Sequence, residues 1–115
     1  MKFVNRAILI VMPNQAFIDW INDNLEDTED PVLLDDQIED SDAYLVDEIN
    51  EGEDIRDLIG FHFQEIFTHQ LSSWFEDESL WPETLSFDLF CEWFTVSYHE
   101  AVVDLGGKAI KYEVL

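Results

Sequence analysis

The side chains in this chain that could act as base, nucleophile or soft metal ligand are His62, His69, His99 and Cys91, set among 27 carboxylates. His62 and His69 stand seven residues apart. On a helix that spacing is two turns, so both rings can reach one site. A metal would need a third ligand, and no motif says which carboxylate would supply it. Histidines at the edge of a core are the simpler reading, and the same holds for His99 in a strand. Cys91 lies between Phe90 and Trp93-Phe94 on a predicted helix. A thiol there is expected to be inert packing, its thiolate disfavoured by burial and by acidic neighbours.

Asp35, Asp36, Glu39, Asp40 and Asp42 have the composition of a calcium loop. They lack its alternating Asp spacing, its central Gly and its closing Glu. These five are therefore candidates for docking a positively charged partner, and no metal site is expected. The chain contains no G-x-S-x-G, no phosphate loop and no H-E-x-x-H, and its five basic residues leave little to hold an anionic substrate. The expectation is a protein that is not an enzyme and carries no cofactor. The alternative is a small-molecule or metal-dependent enzyme using His62 and His69.

Charge is the extreme property. The formal net charge is −22, and residues 23–57 hold 16 carboxylates against one base, Arg56. Lys2, Arg6, Lys108 and Lys111 lie near the two ends. Such a surface repels nucleic-acid phosphates and anionic lipids and attracts basic proteins, so direct nucleic-acid binding is not expected. A globule of this length has a radius of gyration of ~13 Å and a diameter of ~35 Å, and duplex of that length carries on the order of 20 phosphates. Mimicry of nucleic acid is thus the sharper form of the expectation that the chain binds a basic protein.

The elements that must position these groups can be read from periodicity. The central one runs from Gly52 to Phe75, where Ile55, Leu58, Ile59, His62, Phe63, Ile66, Phe67, Leu71, Trp74 and Phe75 form one helical stripe of apolar or ring residues. Asn50 and Glu53 approximate a capping box at its start, and Pro82 forbids its continuation. Before it, Ala7 to Met12 is an unbroken apolar run of the kind found in central strands covered on both faces or nearly so. Asn14 is the expected cap of a following helix carrying Phe17, Ile18, Ile21 and Leu25, with Trp20 extending that face. Residues 26–42 read as a long acidic loop, with Val32, Leu33, Leu34 and Ile38 available to pin it. Ala43 to Val46 is a short strand.

After the long helix, Thr84 or Ser86 should cap a third helix through Phe87, Phe90, Cys91 and Phe94. Thr95 to Leu105 alternates as a strand, Gly106-Gly107 signals a hairpin turn, and Ala109 to Val114 is the expected returning strand. The fold class is α+β: one domain over residues 1–115, about four strands, helices mainly on one face, and a C-terminal β-hairpin. One unpaired cysteine, no secretory leader and no apolar run of ~20 residues point to a cytoplasmic protein without a membrane span.

The segment EDESLWPETLSFDLFCEWF from Glu76 to Phe94, AFIDWIN near the start and VVDL near the end resemble a group of small acidic bacterial proteins without an assigned function. The resemblance covers most of the chain in outline and is loose in the acidic segment. It implies a bacterial cytosolic single domain and carries over no activity and no site residues.

Overall fold

In the computed structural model, which describes residues 1–115, a central strand is built from the apolar run at its expected place. The chain order is β1 (Lys2–Phe3), β2 (Ala7–Pro13), α1 (Gln15–Asn24), α2 (Leu34–Glu39), β3 (Asp42–Val46), α3 (Ile55–Trp74), a 3-10 turn (Glu78–Leu80), α4 (Phe87–Trp93), β4 (Phe94–His99) and β5 (Val103–Asp104). The class is α+β, as the periodicities implied. The main sheet is antiparallel with order β3-β2-β4, and β1 and β5 form a separate two-stranded sheet.

Alternation along β2 decides how the layers stack. Ala7, Leu9, Val11 and Pro13 are buried, while Ile8, Ile10 and Met12 are half-buried on the opposite face. Leu9 is flanked by Tyr44 and Tyr98, and Val11 by Asp42 and Val96, so these residues share the helix-covered face. Ile8 is flanked by Leu45 and His99, and Ile10 by Ala43 and Ser97. Those pairs share the other face, and Ile8, Ile10 and Met12 stay outside the core cluster. The run that reads as a strand covered on both sides is therefore covered on one. A continuous apolar run reports what a strand could bury, whereas coverage depends on where the helices pack.

The core joins Leu9 and Val11 to Phe17, Ile18 and Ile21 of α1, Ile66, Phe67 and Leu71 of α3, and Phe90 and Trp93 of α4. Its centre is aromatic. Phe67 meets Phe90, Trp93 and Phe94 with ring centroids 5.6 to 5.7 Å apart in edge-to-face geometry, the arrangement favoured by ring quadrupoles. Two indole N–H groups then tie down the segment beyond α3. Trp20 Nε1 donates to the Leu80 carbonyl at 3.2 Å and Trp81 Nε1 to the Phe75 carbonyl at 2.9 Å.

Four expectations are corrected. The long helix begins at Ile55, capped by the Asp54 carboxylate, which accepts from the Arg56 N–H at 2.9 Å. Asn50 and Glu53 do bond, at 2.8 Å, but one turn earlier and side chain to side chain, with Gly52 at φ +88° between them. The acidic loop contains α2, which dipole-favoured Asp35 and Asp36 in its first turn help to support. A strand pair does form near the C-terminus, but β5 pairs with β1, Lys2 opposite Asp104 and Phe3 opposite Val103. Ala109 to Val114 forms no strand. Two-residue turn chemistry fixes where a chain can reverse, not whether the returning segment has an edge to join. The radius of gyration is 16.1 Å, above the value expected for a compact chain of this length. Finally, Cys91 is exposed although its neighbours Phe90, Trp93 and Phe94 are buried, so burial does not shield its thiol.

Candidate acidic interaction surface

Placement of the five candidate carboxylates starts at α1. Asn22 bonds Val32 in both directions, Nδ2 donating to its carbonyl at 3.0 Å and Oδ1 accepting from its N–H at 2.7 Å. This side-chain clamp halts the acidic segment on the core, with Val32 and Leu34 packed against it, while Leu33 and Ile38 are exposed. The chain then turns into α2, which carries Asp35, Asp36 and Glu39 on solvent-facing positions, and leaves it through Asp40. Ser41 closes the helix, its hydroxyl donating to the Ile38 carbonyl at 2.6 Å.

Asp42 opens β3 and is held differently from the other four. Its Oδ2 accepts from Gln70 Nε2 at 2.8 Å, and the same amide nitrogen donates to the Tyr44 hydroxyl at 2.8 Å. Asp40 and Asp42 border a cleft of about 280 Å³ that is floored by Val11, Phe17 and Ile18. The structure thus brings two of the five to one concavity and leaves Asp35, Asp36 and Glu39 on the outer side of α2.

The wider electrostatic picture is uneven pairing. All 16 carboxylates of residues 23–57 are exposed, and of the whole set of 27 only Asp104 is partly covered. A single ion pair forms, Arg6 Nε to Asp47 Oδ1 at 3.4 Å. Arg56, the one base inside the acidic stretch, lies over the Phe87 ring at 4.9 Å. A second concavity, of about 400 Å³, is walled by Asp47, Glu48, Glu53 and Asp57 around Phe61. Phe61 is 83% exposed, which places it off the apolar stripe of α3. Sequence reading passed over this pairing because the four carboxylates come from a loop and a helix that only the fold brings together.

His62 and His69 do line one groove, of about 830 Å³, between β3 and α3, together with Glu65 and the C-terminal Leu115. His69 is committed to structure: its Nδ1 lies 2.6 Å from the Tyr44 hydroxyl. Burial pushes the Tyr44 phenol up to about 12, opposed by the Gln70 bond and aided by Asp42. The phenol therefore stays protonated, and its oxygen accepts from Gln70 while the tautomer of His69 sets which partner donates in the bond to Nδ1. His62 packs edge-on to Phe61 at 4.9 Å. No three His, Cys, Asp or Glu side chains converge in metal-binding geometry. His99 is exposed at the end of β4, its Nε2 3.0 Å from the Ser97 hydroxyl.

One further carboxylate is singled out by its surroundings. The hydroxyl and N–H of Ser79 hold Asp77 below the usual carboxylate range, capping the 3-10 turn. No family model, no curated protein and no solved structure matches this chain.

Proposed function

We infer that this protein is a non-catalytic acidic interaction module that binds a basic protein through the carboxylates of residues 23–57, Asp35, Asp36, Glu39, Asp40 and Asp42 among them. The observation that carries this reading is that 16 exposed carboxylates are left with one ion pair between them. Acceptors left without internal cations stay available to a partner's lysines and arginines, and their field steers such a partner over roughly a Debye length, ~8 Å at physiological salt. The long dimension of the molecule, 48 Å, corresponds to duplex carrying on the order of 28 phosphates. A charge of −22 is of that order, which supports the sharper reading as a nucleic-acid mimic. A catalytic use of the His62 and His69 groove has less support, since His69 is held by Tyr44.

The test is retention of basic proteins from a lysate by the wild type and by a variant carrying D35N, D36N, E39Q, D40N and D42N, at low and high salt. The reading expects a partner that binds the wild type, is lost on raising salt and is weakened by the five neutralisations. Retention that ignores both salt and the substitutions would overturn it. Displacement of that partner by duplex DNA or RNA supports mimicry, because both would fill one positive groove; a partner that nucleic acid cannot displace leaves ordinary acidic docking.

A further inference from the structure

The sheet face opposite the helices presents Ile8, Ile10 and Met12 of the central strand between Ala43 and Leu45 of β3, with Leu45 47% exposed, and the polar Thr95, Ser97 and His99 of β4. No carboxylate lies on it, although 26 of the 27 are exposed elsewhere. We propose that this open face is a self-association surface on which a second copy of the chain packs, sheet against sheet, with the C-terminal segment Ala109–Leu115 completing the rim.

Three observations select a second copy as the occupant. The first is the central strand itself, whose unbroken apolar run has the composition of a strand buried on both faces, while one chain covers one face only. The second is charge. A basic partner has no carboxylate to meet here, whereas two copies can join through this face without burying a carboxylate, the step that would cost most. Identical faces also meet naturally about a two-fold axis, each residue's contact being repeated.

The third observation is area. Three strands ~4.8 Å apart and six residues long at ~3.4 Å each present about 300 Å². A stable pair needs about 800 Å² from each partner, so the sheet face is too small alone. The tail supplies what is missing: Ile110, Tyr112, Val114 and Leu115 are 62%, 83%, 102% and 102% exposed. Its last residue, Leu115, lines the groove between β3 and α3, at the sheet edge that also carries Leu45. Ile110, Tyr112 and Val114 also alternate, so an extended tail turns all three to one side.

Sedimentation equilibrium of the full chain across a wide range of concentration and salt tests the proposal. The wild type is expected to move from the 13.5 kDa of one chain to twice that mass. Association should strengthen as salt rises, because screening relieves repulsion between two copies of like net charge. Binding of a basic partner should weaken under the same change, so failure of one reading is distinguishable from failure of the other. Leu45→Glu, on an exposed edge strand where the fold should tolerate it, is expected to weaken association roughly thirtyfold or more, being counted twice in a symmetric pair. Tyr112→Asp tests the rim separately and should weaken it less. A wild type that stays at the mass of one chain at every concentration and salt overturns the proposal, as does a Leu45→Glu variant, folded by circular dichroism, that associates like the wild type.

Discussion

Tyr44 on β3 and His69 on α3 are joined by a 2.6 Å contact between the phenol oxygen and Nδ1, with the rings edge to face at 5.6 Å. Gln70 extends the chain by donating to both the phenol and Asp42, so the acidic end of β3 is latched to the long helix through three side chains. This latch orients one of the five candidate carboxylates, and the half-buried groups that form it make it sensitive to pH and to truncation.

Removing the phenol hydroxyl should loosen that latch. Tyr44→Phe removes the bond to His69 and leaves Gln70 with one acceptor, which costs about 1 kcal/mol for a partly buried hydrogen bond. A urea melt showing a shift of that size, with an unchanged denaturant slope, is the expected outcome.

Alkaline pH acts on the same group. The phenol's folded value of about 12 exceeds its ordinary 10.0, so between those values the folded chain holds a proton that the unfolded chain releases. Its contribution is fully present below 10.0 and is lost as pH rises through about 12. Thermal melts should fall across that window, and Tyr44→Phe should remove that part of the fall. Ultraviolet titration should show a late-ionising tyrosine that disappears in the same variant.

The aromatic centre sets the stability of the whole domain. Phe67 is fully buried, and truncating it to Ala should cost ~3 to 5 kcal/mol, against a total of only ~5 to 15 for a domain of this kind. Phe61→Ala, six residues earlier on the same helix and largely exposed, should stay within about 0.5 kcal/mol. A pair of denaturant melts separates the two.

Salt should stabilise the fold. With 27 carboxylates, five bases and one exposed ion pair, screening removes far more repulsion than attraction. The melting temperature at neutral pH should therefore rise from low to moderate salt, and rise less in the variant with five neutralised carboxylates.

Exposure of Cys91 makes a chemical prediction. A thiol reagent should label the native protein to one equivalent without denaturant, and Cys91→Ser should melt within about 0.5 kcal/mol of the wild type. Labelling that waits for unfolding would place the thiol in the core.

The residues of the long helix that meet the core, the β2 run and a cap at Thr84 or Ser86 were legible from sequence because each rests on local rules. Period, β-branching and side-chain capping act within a few residues, and of the two candidate caps it is Ser86 that accepts from the Leu89 N–H. So too was the acidic character of residues 23–57, which is composition alone. Whether a carboxylate is paired was not legible, because Arg6 meets Asp47 and Arg56 turns to Phe87 across long stretches of chain. The joining of Tyr44, His69 and Gln70 likewise depends on the lie of β3 along α3. Cys91 and the C-terminal segment make the same point from the other side. A helical position has a face only relative to its neighbours, and an alternating segment becomes a strand only where an edge is free to receive it. Local physics therefore determined which segments can be helix or strand and how much charge they carry, while tertiary packing alone decided which apolar face is covered, which carboxylates share a cleft and which face of the sheet is left open.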